Sequence, residues 1–214
     1  MLRPIYLQPG DKVALISPSG IATKEQLDAA CSLLTSWELE PVPGQHVLSE
    51  HGRLAGTDEE RLQDLQTALD AEDTRAIWCM AGDYGMLRIV EEADYSKFQG
   101  NPKWVIGMND ITVLHSKLHS LGIESLHASM PSGSPRFTPE VASQLRNFLF
   151  GIISSYAVPA HPYNRPGIAE AEMIGGMLQW VHNLHDTCIE RNTRGTILFI
   201  EDPSNDLYEI DKSV

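Results

Sequence analysis

The chain is poor in basic residues. Sixteen Lys and Arg stand against 29 Asp and Glu among 214 residues, which gives a formal net charge of −13. Such an acidic surface repels nucleic-acid phosphates and anionic lipid, so we expect no nucleic-acid partner and no binding at membrane surfaces. Long apolar runs are also lacking. Phe148 to Ile153 and Thr196 to Ile200, the longest, are far too short to span a membrane.

Cysteine is equally scarce. Cys31, Cys79 and Cys188 are far apart and form no C-x-x-C pair, which argues against a disulfide framework or a zinc knuckle and fits a reducing compartment. The first residues, MLRPIYLQPGDK, contain no apolar stretch typical of a secretory signal. We therefore expect a cytoplasmic protein.

Several motifs that announce a cofactor or metal are absent as well. The sequence has no G-x-x-x-x-G-K-[ST], no G-x-G-x-x-G after a strand and no H-E-x-x-H. His115 and His119 have the i,i+4 spacing of metal ligands, but no acidic residue between them completes a zinc shell. We expect neither a cofactor nor a metal site.

Alternating strand and helix signals fill the first 150 residues. Apolar, β-branched runs at Lys12 to Ser17, Leu39 to Val42, Arg75 to Met80, Lys103 to Gly107 and Ile123 to Leu126 predict strands. Between and after them, helices are predicted with N-caps at Thr23, Thr57 and Thr138, from the loop at Gly85 through about Glu92, and over Ile111 to Leu121. This order indicates βαβ units, hence an α/β fold with a mostly parallel sheet.

The composition changes after residue 153. Residues 154–167 contain three prolines without a helical period and are interpreted as a linker. Strands are predicted at Ala169 to Ile174 and Gly195 to Glu201, with a helical stretch to His185 between them. We therefore predict an N-terminal domain at 1–153, a linker at 154–167 and a partial C-terminal domain at 168–214.

Ligands of open parallel sheets bind beyond the carboxyl ends of the strands. Four loops are predicted there: 17–20, 81–85, 107–110 and 127–130. The loop Gly107-Met108-Asn109-Asp110 joins a strand directly to a helix, which is the form of a nucleophile elbow. Backbone N–H groups at such a turn can stabilise an oxyanion. An ordinary strand-to-helix turn remains the alternative interpretation.

Seven segments, in order along the whole chain, resemble blocks of the LD-carboxypeptidase family, which includes muropeptide LD-carboxypeptidases and microcin-immunity peptidases. They are ISPSG (16–20), RLAGTDEERLQDLQ (53–66), KWVIGMNDIT (103–112), HASM (127–130), HPYNRPG (161–167), GGML (175–178) and ILFIEDPSNDLYEID (197–211). The resemblance implies a flavodoxin-like N-terminal domain with helices on both faces of the sheet, joined to a smaller β-rich domain that is incomplete here.

The resemblance also implies an activity. Members are cytoplasmic serine peptidases, commonly homodimers, that release the terminal D-alanine from murein tetrapeptides during cell-wall recycling. Their triad is Ser-His-Glu, and the glutamate corresponds to Glu201. It would orient the histidine and stabilise the imidazolium. Gly82, Asp83 and Asp110 fall where substrate and oxyanion would be held.

The chain departs from the family pattern where the chemistry resides. Asn109 stands at the position of the nucleophilic serine, and a carboxamide has no hydroxyl proton for a base to remove. The family's triad histidine lies beyond residue 214, so we expect it to be absent. The family's R-G-G-Y-G loop reads Ala81-Gly82-Asp83-Tyr84-Gly85, which replaces an arginine and adds a carboxylate. Met177 and Gln179 alter the family's G-G-N-L-S block.

Two hypotheses remain open. The first is a family carboxypeptidase that acts on muropeptides by substitute chemistry, for which Ser129, Ser132 or Cys79 could supply a nucleophile. The second is a pseudoenzyme or truncated paralogue, with activity lost or impaired, that binds muropeptide-like ligands or pairs with a homologue. A nucleotide or flavin binder is disfavoured because no loop carries a phosphate-cradling glycine pattern.

Overall fold

The computed structural model describes residues 1–130, 137–152, 155, 157–203 and 207–213. The strands in this part of the chain are β1 (Lys12–Ile16), β2 (Glu40–Pro43), β3 (Thr74–Cys79), β4 (Trp104–Gly107), β5 (Leu126–His127), β6 (Met173–Met177) and β7 (Ile197–Glu201). The helices are α1 (Lys24–Ser36), α2 (Asp58–Asp70), α3 (Met86–Ile89), α4 (Ser96–Gly100), α5 (Ile111–Ser120), α6 (Pro139–Leu149), α7 (Leu178–Asn183) and α8 (Leu207–Ser213). None of these helices has the length and apolar character needed to cross a membrane.

The central sheet has five parallel strands in the order β2-β1-β3-β4-β5. This is the flavodoxin-like strand order, in which the chain reverses direction across the sheet between β1 and β3. The predicted α/β class and parallel sheet are confirmed. Because every strand runs the same way, all the loops that follow the strands leave from one edge.

Successive side chains of the central strands point to opposite faces of the sheet, so the apolar core has one part on each face. Ile16, Ile77 and Val105 pack with helices α2 to α5 on one face. Leu15 and Trp78, their neighbours in sequence, pack with α1 and α6 on the other. Both faces are therefore covered by helices, as predicted, and the buried parts of β1, β3 and β4 are apolar because neither face meets water there.

Helix starts follow the sequence signals closely. Thr23 and Thr57 each form a capping box, with Gln26 and Glu60 as the reciprocal partners, and Thr138 caps α6. The helix predicted through Glu92 is wrong in length, because α3 ends at Ile89. Helix α4 was not predicted at all, because its five residues are too few to show a helical period.

A second, two-stranded parallel sheet, β6-β7, packs beside α5. The Thr112 hydroxyl accepts a hydrogen bond from the Met177 N–H at 3.1 Å. The strand predicted at Ala169 to Ile174 instead runs over Met173–Met177, because Gly175 and Gly176 extend it past the point where two glycines suggest a turn. Residues 153 and 154 lie outside the described residues, so the division at 153, 154 and 167 stays a prediction.

Candidate active site at the carboxyl edge of the sheet

The loops after β1, β3 and β4 touch one another at the carboxyl edge. A Cβ added to Gly20 would lie 2.7 Å from the Gly82 carbonyl oxygen, and one added to Gly82 would lie 2.5 Å from the Asn109 Cβ. Side chains do not fit at such separations, so both glycines allow close backbone approach. The residues predicted at the substrate and oxyanion positions thus lie side by side.

Asn109 occupies a strained elbow. Its φ of 62° is one of three positive values among the non-glycine residues that the structure describes. Asparagine adopts this left-handed conformation more readily than most side chains. The Asn109 Oδ1 accepts a hydrogen bond from the indole N–H of Trp180 at 3.1 Å, and Trp180 stacks on Tyr84. The predicted strand–elbow–helix geometry is therefore present, with a carboxamide fixed at its tip.

Asp110 is fully buried and joins three loops. Its carboxylate accepts hydrogen bonds from the Ser19 hydroxyl at 2.7 Å, the Met86 N–H at 3.0 Å and the Asp83 N–H at 3.3 Å. Burial raises the pKa of Asp110, while these three donors favour the ionised form. Such contacts hold the elbow against its neighbours. Direct contact of Asp110 with a ligand stays a prediction.

The Asp83 carboxylate lies at the surface. Its Oδ2 is 3.6 Å from the Arg53 Nη2, and both side chains are exposed. A pair in water gives little binding energy, yet it offsets part of the repulsion that a carboxylate here would exert on an anionic ligand. The Asp83 backbone N–H points inward instead, to Asp110.

Glu201 ends β7 and has a histidine partner that sequence reasoning missed. Its Oε1 lies 2.6 Å from the Nε2 of His127, at the end of β5. A carboxylate only accepts hydrogen bonds, so Nε2 carries the proton. The pair is separated by 74 residues, which hides it from local patterns. The rule that ligands bind after parallel strands did single out the 127–130 loop, and that was the available signal.

His115, one of the two histidines with the i,i+4 spacing of metal ligands, contacts protein groups through both ring nitrogens. His115 Nε2 lies 3.1 Å from the Gly107 carbonyl oxygen, and its Nδ1 lies 2.8 Å from the Ser125 hydroxyl. Burial lowers the pKa of His115 to about 3, so the ring is neutral. In the described part of the chain, only the exposed His185, Asp186 and Glu190 bring three ligand atoms within 4.8 Å of one another. Exposed acidic groups commonly cluster without binding a metal.

The alternative nucleophiles differ in position. Cys79 is buried at the end of β3, and burial raises the pKa of its thiol, which disfavours the reactive thiolate. Ser129 is half-buried, two residues after His127. Ser132 lies outside the described residues. Of the two side chains that the structure describes, Ser129 is therefore the stronger candidate.

Comparison with known proteins identifies the class. Residues 13–128 match the LD-carboxypeptidase N-terminal domain, and this chain belongs to the LD-carboxypeptidase family. It is 32% identical over 216 residues to the probable murein peptide carboxypeptidase of Bacillus subtilis, covering 98% of this chain and 68% of that one. It is 31% identical over 220 residues to the murein tetrapeptide carboxypeptidase of Pseudomonas aeruginosa, covering 97% and 71%.

Solved structures share the fold. The apo microcin C7 self-immunity protein MccF superposes with a TM-score of 0.86 at 21% identity, covering 100% of this chain and 74% of that one. The muramoyltetrapeptide carboxypeptidase of Oxalobacter formigenes superposes with a TM-score of 0.82 at 23% identity, covering 94% and 69%. The resemblance seen in the sequence blocks is thereby confirmed at the level of family and fold.

Proposed function

We propose that this chain binds a murein-tetrapeptide-like ligand at the carboxyl edge of its sheet without hydrolysing it. The family membership and the clustered loops after β1, β3 and β4 support a peptide site there. The observation that carries the proposal is Asn109 at the tip of the elbow, where it is held by Trp180. Its amide nitrogen is a poor nucleophile, and it has no hydroxyl to form an acyl-enzyme.

The hydrogen bonds of the site support binding of a ligand without rapid hydrolysis. Removing one member of a catalytic triad costs on the order of 10⁴ to 10⁶ in rate. Among the described residues, the hydrogen bond to Asn109 comes from Trp180 rather than from a histidine. Backbone N–H groups of the elbow remain able to hold a ligand carbonyl or carboxylate oxygen.

The His127–Glu201 pair favours a second candidate function, hydrolysis by substitute chemistry. A histidine held by a carboxylate at 2.6 Å is the arrangement of a general base with its orienting group. Ser125 and Ser129 each lie two residues from His127 along the chain. The Ser125 hydroxyl contacts His115, which leaves Ser129 as the candidate nucleophile. In this alternative the chain releases terminal D-alanine from a murein tetrapeptide through a base other than the one in the family triad.

Two measurements on the purified chain separate the candidates. Isothermal titration with a murein tetrapeptide measures binding, and chromatography of the same mixture measures free D-alanine. We expect heat of binding with no D-alanine above the buffer control. If the unaltered chain releases D-alanine, and if His127→Gln and Ser129→Ala each abolish that release, the second candidate, hydrolysis by substitute chemistry, is established instead. Absence of both binding and release would contradict either function.

Cytoplasmic location, a homodimer and a part in peptidoglycan recycling are proposals taken from the family resemblance. Light scattering during gel filtration tests the dimer, for which twice the 23.7 kDa chain mass is expected. Fractionation of the native cells tests the location. Recovery of the chain as a monomer, or in an extracytoplasmic fraction, would contradict these proposals.

A further inference from the structure

A cavity of about 510 Å³ lies among β5, α5 and the β6-β7 sheet. Its volume is in the range that holds small organic ligands. Its wall includes Trp104, His119, His127, Arg191 and Phe199. Neither Asn109 nor the Gly82–Asp83 loop contributes to it, so the cavity is separate from the elbow.

Arg191 brings an uncompensated positive charge to this cavity. Its Nε and Nη2 are buried and have no hydrogen-bond partner in the described part of the chain. Its Nη1 reaches the Gly175 carbonyl oxygen only at 3.5 Å. No described carboxylate lies within ion-pairing distance of the guanidinium. A buried guanidinium usually has partners for its five N–H donors, because an unpaired buried charge is costly.

The other charges at the cavity are already balanced. Arg3 pairs with Glu124 at 2.7 Å, and the Met1 amino group lies 3.6 Å from Glu172. Burial lowers the pKa of Arg191 to about 10, which still leaves the guanidinium charged at neutral pH. With the histidines neutral, the described residues that line the cavity therefore carry one net positive charge, in a protein whose net charge is −13.

Two histidines that line the same cavity also have a buried nitrogen without a hydrogen-bond partner among the described residues, namely Nε2 of His119 and Nδ1 of His127. The Nδ1 of His127 is buried and unbonded among the described residues, while its Nε2 donates to Glu201. Nδ1 consequently accepts a hydrogen bond when the ring is neutral and donates one when the ring is an imidazolium. The cavity thus offers a ligand the Arg191 guanidinium and two histidine nitrogens, together with the aromatic rings of Trp104 and Phe199.

We propose that this cavity binds a small organic monocarboxylate, whose carboxylate pairs with Arg191 and whose apolar body lies against the wall containing Trp104 and Phe199. A guanidinium fork matches a carboxylate in shape and charge. The apolar wall favours an organic acid over an inorganic anion. The acidic surface disfavours multiply charged ligands, because their repulsion grows with charge. This cavity is a second site, separate from the peptide site proposed at the elbow.

The test uses benzoate as the probe and benzamide as its uncharged match. NMR titration of the whole chain should show saturable benzoate binding, with shifts at Arg191 and its neighbours, and no binding of benzamide. N-benzoylglycine, titrated in parallel, places the same carboxylate at the end of a peptide bond. Tighter binding of N-benzoylglycine than of benzoate would identify a peptide C-terminus as the natural partner. Tighter binding of benzoate would identify a free organic acid instead.

Variants assign the binding to Arg191. Arg191→Met should weaken benzoate binding by about tenfold or more, and Arg191→Lys by less, because it keeps the charge but not the fork. The exposed Arg194 provides the control, since Arg194→Met removes the same charge three residues away and should leave binding unchanged. Equal benzoate and benzamide binding, equal weakening by Arg194→Met, or no benzoate binding by the correctly folded chain would overturn the proposal. The amide spectrum of each variant checks its fold.

Discussion

Asn109 and Gly82 depend on each other at the elbow. The backbone of Asn109 has a φ of 62°, and the Gly82 loop lies so close that a Cβ there would meet the Asn109 Cβ at 2.5 Å and the Met108 carbonyl oxygen at 2.6 Å. The loop that contains Gly82 cannot move freely away from Asn109, because the Asp110 carboxylate accepts hydrogen bonds from the N–H groups of Asp83 and Met86. Asn109 therefore favours the conformation of the elbow, and the surrounding loops hold it in position.

Gly82→Ala should displace the elbow. Because the new methyl group meets backbone and a Cβ, we expect a loss of about 1–3 kcal/mol in the free energy of unfolding, measured by urea denaturation, and weaker tetrapeptide binding. Gly100→Ala is the control, since a Cβ at Gly100 meets nothing within 4 Å. If Gly82→Ala is as stable as Gly100→Ala and binds the tetrapeptide equally well, the loops are not in contact.

His115 should make the fold sensitive to acid. Burial lowers its pKa from 6.5 to about 3, so between these values the unfolded chain binds a proton that the folded chain does not. Stability is therefore full above pH 6.5 and falls as the pH drops toward 3, by up to about 1.4 kcal/mol per pH unit from this group. Burial also lowers the pKa of His119, which adds to the effect in the same direction.

Urea denaturation at pH 7.5 and 5.0 measures this contribution. His115→Gln, which keeps polar atoms but does not titrate, should lose less stability than the unaltered chain over this interval. His161→Gln at an exposed position is the matched control and should behave as the unaltered chain does. Identical pH dependence in His115→Gln and the unaltered chain would rule out His115 as the sensitive group.

At the scale of elements, α5 connects the two sheets. It begins at the elbow, packs through Val113, Leu114 and Leu118 into the core of the central sheet, and accepts the Met177 N–H through Thr112. Gly176 lies against the same threonine, because a Cβ there would be 2.4 Å from the Thr112 Oγ1. The position of β6 thus depends on the first turn of α5.

Thr112→Val should loosen β6 from α5. The substitution keeps the side-chain shape but leaves the Met177 N–H without its acceptor, at a cost of about 1–3 kcal/mol. Hydrogen exchange should therefore quicken at Met177 and its neighbours in β6, while β1 and β3 keep their protection. Thr67→Val, on the exposed side of α2, should leave exchange in β6 unchanged. If β6 exchanges as before in Thr112→Val, the hydrogen bond does not fix the strand.

The sequence could predict the elements whose signals are local. Buried strands such as Thr74–Cys79, the threonine caps and the turn at Asn109 are each read within a few residues. The His127–Glu201 pair could not be predicted, and neither could the Arg191 guanidinium, which has no carboxylate partner among the described residues. Both arise where β7 and the segment before it fold back on α5 and β5. Asp110 was predicted at the ligand site, but its three hydrogen-bond donors (Ser19, Asp83 and Met86) are far from it in the sequence and could not be predicted.

At the scale of the whole molecule, the fold of a peptidase family is combined with an elbow that has Asn109 at its tip. Two cores cover both faces of the parallel sheet, and the loops at its carboxyl edge remain in mutual contact. The net charge of −13 disfavours long-range attraction of anionic peptides, so binding at the elbow has to rest on short-range contacts. We therefore predict recognition of the peptide without its cleavage.

D-alanine release from a murein tetrapeptide, measured side by side for the unaltered chain and Asn109→Ser, tests this account most directly. The variant restores a hydroxyl at the elbow, but among the described residues the hydrogen bond at Asn109 goes to Trp180 and not to a histidine that could take the proton. We predict no release above the buffer control by either protein, although both bind the peptide. Sustained release by Asn109→Ser, or by the unaltered chain, would contradict the account.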